Sequence, residues 1–442
     1  MIHHRWAGAG LAALASFVIH DAAQASGYFL REQSAVGQGA SFAGVTARGD
    51  DPSMIFFNPA AMAWLPGNQL AIVGSGIFPQ AEADRMTGRR ATLLGGSVIS
   101  GGPGGDAISD AFVPATYATV ALGDQWHIGL GITSPFGLIT KYGPDFVGRY
   151  HAQTTSLRTI NITPAVSWRP TETFSIGAGL QIQYADARLS SAVDFGGVLA
   201  GRGAAVLPGS RDGRSTLTGD DTAIGWQIGA QWRPLPGTML GLSFRSAIFH
   251  ELEGDAKFEG VPAPLATTFR DTGGRARLTT PESLAFGVTQ AIGDRFTLLA
   301  GAEWTNWSRF RTLTVQFENG LPNNVTEERW RDTVFLSIGG EYRATDTVTL
   351  RAGFAWDQTP VRDTTRTPRI PDSNRYWLSA GLSWAVTPSI TVSAAYTHIF
   401  GSAADVDLAA GGPTSPDFLR GSLNGSYSAS VDILSAQLRF SF

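Results

Sequence analysis

Residues able to move protons, attack bonds or hold metals are few in this chain, and they are scattered. Past the first 25 residues the histidines are His127, His151, His250 and His398, with no i,i+4 pair and no carboxylate at ligand spacing. Nothing therefore reads as a metal-binding helix. The absence of cysteine excludes disulfides, thiol catalysis and thiolate-bound metals. There is no G-x-S-x-G elbow and no phosphate-binding loop, and "GQGASFAG" (37–44) lacks the strand-to-helix setting of a dinucleotide site. The acidic pairs Asp50-Asp51, Asp220-Asp221 and Asp405/Asp407 read as solvated loop charge. A lipid-hydrolysing barrel would need a serine beside His127 or His398, and no such partner is evident. The expectation is therefore no catalytic set, no metal and no cofactor, hence no enzyme. A net charge of -4 with no basic run of five gives no footprint for nucleic acid. What stands out is apolar: "GDDPSMIFFNPAAMAWLPG" (49–67), too rich in proline for a strand or a long helix.

The elements around it explain its setting. Residues 1–25 read as a secretory leader, with Arg5, an apolar core "AGAGLAALASFVI" and the small-x-small site Ala23-Gln24-Ala25. That core is too short to span a bilayer. From residue 69 onward, period-2 alternation recurs. In "FSIGAGLQIQYADARL", Phe174, Ile176, Ala178, Leu180, Ile182 and Tyr184 share one face, and Ser175, Gly177, Gly179, Gln181 and Gln183 the other. Fourteen such segments are predicted, over 69–81, 113–122, 126–136, 156–169, 174–188, 222–234, 238–251, 276–292, 296–311, 330–343, 347–357, 375–386, 389–400 and 428–442. Short turns such as "GDQ" and "PTET" alternate strictly with long loops.

An even strand count, this loop asymmetry and aromatics near strand ends (Trp168, Trp232, Tyr342, Trp384, Phe442) point to a membrane barrel with its apolar face outward. The predicted fold is all-β: a 14-stranded antiparallel transmembrane β-barrel in the outer membrane, spanning 68–442. Residues 26–67 form an N-terminal hatch in its lumen. Its surroundings are outer-membrane lipid and lipopolysaccharide.

Within the third strand, Pro135-Phe136-Gly137 admits two readings from the residues alone. It is either an inward kink with unpaired backbone or the start of a long loop. Asn58-Pro59-Ala60 reads as a turn that starts a helix.

Spread along the mature chain, "SGYFLREQSAVGQGASFAG", "ARGDDPSMIFFNPAAM", "GLGITSPFGLITKY", "LTTPESLAFGV", "GFAWDQTPV" and "IPDSNRYWLSAGLSW" resemble the FadL family of outer-membrane transporters. That family includes carriers of long-chain fatty acids and of aromatic hydrocarbons. The resemblance implies a monomer that passively transports hydrophobic small molecules, with no ATP. Ligand reaches a pocket touched by the N-terminus and leaves sideways through a kinked third strand. It implies that Pro135, Phe136 and Gly137 form the lateral gate and that Asn58, Pro59 and Ala60 meet the kink. It also implies that Tyr28 reaches the ligand and that Asp357 and Arg375 form a structural pair. Where fatty-acid carriers of the family place basic residues, this chain has Ser191 and Thr326, which leaves Arg188, Arg329 and Arg331 as the expected partners of a carboxylate. Long-chain fatty acids are the expected ligand, neutral aromatic hydrocarbons the alternative.

Overall fold

The computed structural model describes residues 27–442; the leader predicted over 1–25 lies outside them. One sheet of twenty ladder segments makes fourteen barrel strands, six of them interrupted. They are β1 (Gln69–Arg89), β2 (Ala111–Leu122), β3 (Trp126–Thr133, resuming as Gly137–Lys141), β4 (Thr154–Thr171) and β5 (Phe174–Asp194). Next come β6 (Asp212–Trp232), β7 (Thr238–Arg245 and Ile248–Glu259), β8 (Thr272–Thr280 and Ser283–Ile292) and β9 (Phe296–Thr305 and Thr312–Phe317). The last are β10 (Asn324–Glu327 and Thr333–Arg343), β11 (Val348–Asp357), β12 (Arg375–Thr387), β13 (Ile390–Gly401 and Ala404–Leu408) and β14 (Ser422–Ser441). Neighbours pair antiparallel throughout. β14 pairs with β1 from Gln69↔Ser441 to Arg89↔Ser422 and closes the barrel.

The alternation is inverted relative to a soluble protein. Along β5, Ser175, Gln181 and Gln183 are buried, while Ile176, Leu180 and Tyr184 are exposed. An apolar outer face of this kind suits lipid, and the closed ladder satisfies the backbone there. Among the described residues no helix is long and apolar enough to cross a membrane; the strands do the crossing.

The strands run further toward the long loops than the sequence pattern predicts. β5 continues to Asp194 rather than 188, β6 begins at Asp212 rather than 222, and β14 at Ser422 rather than 428. Approaching these extensions the outward positions turn from apolar to polar or charged. Asp186, near the end of the predicted span, pairs with Arg158 at 2.8 Å, and beyond it the apolar alternation fades while the ladder persists. The ninth strand, expected unbroken to 311, stops at Thr305 and resumes at Thr312 after a turn at Trp307–Arg309.

Residues 27–67 occupy the lumen. They contain one short helix, α1 (Ala35–Gln38), and three 3-10 turns, and nearly all of them are buried. Local chemistry sets each turn. Ser34 caps α1 through Gly37 N, Asp51 caps Pro52–Phe56 through Ser53 N, and Asn58 caps Pro59–Trp64 through Ala60 N. Proline stands first in both 3-10 turns, where its missing N–H is not needed.

Candidate functional site

The barrel wall has a break. The β2–β3 ladder runs from Leu122↔Trp126 to Thr116↔Ile132 and stops, although β2 continues to Ala111. On its other side, β3 spends one residue more than β4 between Thr133↔Asn161 and Gly137↔Arg158. That is a bulge, and it falls on Ser134-Pro135-Phe136. Phe136 stays tied to β4, its N–H donating to Thr159 Oγ1 (2.9 Å) and its carbonyl accepting from Thr159 N (3.1 Å).

Toward β2 the kink turns to the N-terminal segment instead. Leu30 N donates to Pro135 O (2.8 Å), Gly137 N to Tyr28 O (2.9 Å), and Gln33 Nε2 to Ser134 O (2.9 Å). Phe29 and Phe136 thus form a single antiparallel bridge. The strand therefore bulges and resumes at Gly137 rather than opening a loop, and its backbone there is paired, not free.

Tyr28 is also the floor of an apolar cavity. Its ring packs edge-on against Trp307 (4.7 Å) and Phe310 (6.0 Å), and tilted against Trp330 (5.6 Å) and Phe136 (5.8 Å). Above it Leu138, Leu157, Leu189, Leu252, Leu278 and Val315 line about 90 Å³ of free space. The space exists because small residues fall in register across four strands: Ala187↔Gly219, Gly219↔Gly254 and Gly254↔Gly274. The Tyr28 hydroxyl donates to Thr279 O at 3.3 Å.

Of the residues expected at the ligand, only Tyr28 lines this cavity. Arg188 is exposed on the outer face of β5, because its neighbours Ala187 and Leu189 take the inward positions. Arg329 is exposed and pairs with Glu327 at 2.5 Å. Arg331 is spent on the following loop, where Nε donates to Thr359 O at 3.1 Å.

Two polar side chains that the sequence did not single out stand closer. Arg369 Nη1 donates to Thr155 Oγ1 (3.1 Å), a cavity-lining hydroxyl, and the next residue, Ile370, lines the cavity. Glu328 is buried beside the aromatic floor and accepts from Trp330 Nε1 at 3.0 Å. Burial raises the Glu328 carboxyl to about 8. The local sequence signal was slight: one more arginine in the loop "RDTTRTPRIPDSNR" and the second acid of "TEERW".

Asp357 and Arg375 are register partners on β11 and β12 and lie 3.4 Å apart. Arg375 also reaches Asp372 at 3.2 Å, and Asp372 in turn accepts from Gly27 N (3.1 Å) and Thr359 Oγ1 (2.6 Å). This pair therefore helps anchor the start of the hatch.

The triplet Asn58-Pro59-Ala60, expected at the kink, lies against another part of the wall. Asn58 Nδ2 donates to Thr46 O (2.7 Å) and Ala230 O (3.2 Å), and Ala60 O accepts from Ser175 Oγ (3.1 Å). Its seat is β5–β7, where Gly177 and Gly229 leave room. A Cβ on Gly177 would come within 2.5 Å of Ala60 N. The residues that hold the kink are Tyr28, Leu30 and Gln33.

Among the described residues no group of His, Asp or Glu could hold a metal ion. His250 is fixed between Asp221 Oδ2 and Gln183 Oε1, both at 3.0 Å.

Residues 16–442 match the family described as outer membrane protein transport protein (OMPP1/FadL/TodX). The chain is 27% identical over 408 residues to a long-chain fatty acid transport protein of Escherichia coli O6:H1, covering 87% of this chain and 90% of that protein. A solved FadL homologue of Pseudomonas aeruginosa superposes with a TM-score of 0.84 at 26% identity, over 94% of this chain and all of that one. The Pseudomonas putida toluene transporter TodX shares the fold, with a TM-score of 0.70 at 17% identity over 95% of this chain and 100% of that one. This outer-membrane β-barrel of Gram-negative type belongs to the OMPP1/FadL/TodX family of transport proteins.

Proposed function

We propose that the protein passively carries apolar small molecules across the outer membrane, long-chain fatty acids first among them. It acts after removal of residues 1–25, with residues 26–67 as hatch and 68–442 as barrel. Ligand enters the cavity from the long-loop end and displaces Tyr28 to Leu30 from the kink. It then leaves between β2 and β3 into the membrane, so Pro135, Phe136 and Gly137 act as a lateral gate. One observation carries this reading: Tyr28 forms the cavity floor with its ring and caps the wall break with its carbonyl. Occupying the cavity therefore competes with sealing the break. No catalytic group or cofactor takes part, and a monomer suffices.

A second ligand class, neutral aromatic hydrocarbons, is favoured by the narrow free space of about 90 Å³ and the aromatic cluster around Tyr28 and Phe310 beneath it.

The test is uptake of labelled oleate and toluene by cells lacking their own carrier. Deleting Pro135 removes the extra residue of β3 and lets the ladder run straight, so uptake of both ligands is expected to fall to background while binding to purified protein persists. Undiminished uptake by the folded deletion variant would reject the lateral route. Gly137→Val probes the same point from the other side of Phe136.

A further inference from the structure

We propose that Arg369 is the anchor for a carboxylate headgroup at the rim of the apolar cavity, which makes long-chain monocarboxylates the preferred ligands; this rests on the transport reading above. Seven arginines are buried among the described residues: Arg31, Arg48, Arg149, Arg351, Arg366, Arg369 and Arg375. Six of them hold a carboxylate within ion-pair distance, namely Arg31 with Glu303, Arg48 and Arg351 with Glu341, Arg149 with Asp212, Arg366 with Asp363, and Arg375 with Asp357 and Asp372. Arg369 is the exception. A buried guanidinium without a counter-ion is costly, and such cations are retained where an anion arrives to complete them.

Its position fits that role. Nη1 rests on Thr155 Oγ1 and on Thr154 O (3.3 Å), its own carbonyl accepts from Thr140 Oγ1 (3.2 Å), and Ile370 carries the chain onto the cavity wall. A carboxylate at Arg369 would lie with its alkyl chain along Leu138, Leu157 and Leu189.

The charged and titratable neighbours explain why the position stays open. Glu328 is the acid whose field reaches Arg369, and at about 8 it is protonated at neutral pH, while Arg369, lowered to about 10, remains charged. Arg420 acts on both but is itself paired with Asp417 at 2.8 Å, with His151 behind that pair. Tyr142 and Tyr427 hydrogen-bond each other at 2.8 Å beside the same loop, and Tyr28 faces Glu328 from below. Raising pH through 8 ionises Glu328 and supplies Arg369 with an internal partner, so carboxylate affinity is expected to fall between pH 7 and 9.

The measurement is quenching of tryptophan fluorescence in the purified full-length protein, titrated with oleate and with the neutral analogue oleyl alcohol. Arg369→Gln is expected to weaken oleate at least about tenfold and leave oleyl alcohol unchanged, with Arg369→Lys restoring part of the loss. Equal weakening of both ligands would make Arg369 a packing residue and overturn the proposal, as would unchanged oleate binding. Wild-type protein that binds neither ligand would instead reject the cavity itself. For the pH effect, a profile that declines in wild type and is flat in Glu328→Gln supports the assignment; profiles that match overturn the part given to Glu328.

Discussion

In the half of the lumen near the short turns, wall and hatch meet through polar groups. Gln231 Nε2 donates to Thr46 O (2.9 Å) and Arg48 O (2.7 Å), Gln227 Nε2 to Ile55 O (3.2 Å), and Gln437 Nε2 to Asp51 Oδ1 (2.8 Å). Arg48, Glu341 and Arg351 add a buried ionic chain. In the half near the long loops, the meeting surface is Tyr28, Phe29, Phe136, Trp307, Phe310 and Trp330, ring packed on ring, and the directed bonds beside it gather on the wall break and on Arg31 and Gln33. Directed bonds specify one arrangement and resist sliding, whereas ring packing tolerates several. The difference divides the hatch into a plug seated by polar groups and a tip seated by rings, with the tip at Tyr28 and Phe29. Glu32 marks the boundary, its buried carboxyl raised to about 7 by desolvation. That group favours the seated hatch while protonated. The contribution is complete below the unfolded carboxyl range, near pH 4.5, and is lost as pH rises through about 7.

The largest test of this division strikes the fixed half. Gly177→Val drives a side chain into Pro59 and Ala60, so the plug loses its seat and ion conductance in a planar bilayer should rise roughly tenfold or more. Unaltered conductance in a folded barrel would mean that the polar seat of the lower plug is not what closes the lumen. A smaller effect belongs to the cavity. A Cβ at Gly274 meets nothing closer than 3.6 Å, so Gly274→Val is accommodated and narrows the free space. Oleate affinity should drop roughly tenfold and toluene less, as read by competition titration. The smallest is Tyr28→Phe, which removes one weak bond to Thr279 O and should cost about 1 kcal/mol or less in thermal unfolding, with uptake close to wild type.

The sequence carried the barrel because lipid on one side and a polar lumen on the other impose alternation on every strand. It marked the kink as one of two readings, because proline and glycine interrupt a ladder for local reasons and open loops for the same ones. The cavity was not legible, since Ala187, Gly219, Gly254 and Gly274 mean nothing singly and become a pocket only through register across β5 to β8. Arg188 was misplaced by the same alternation that revealed the strands: one step along β5 exchanges lumen for exterior. The seat of Asn58 was hidden too, because it depends on glycines at 177 and 229, more than a hundred residues further along the chain.

β5 and β6 are each 21 residues long, about 70 Å of extended chain, whereas a tilted strand needs only about 9–11 residues to cross the hydrocarbon. The surplus lies on the long-loop side and carries the cavity with it. For an apolar solute arriving from water, the obstacle at such a surface is the hydrated, ion-bridged headgroup layer rather than the hydrocarbon beneath. On the lateral route proposed above, a cavity held in that surplus makes the barrel a tall inlet: solute would be desolvated before it meets the headgroups and delivered below them.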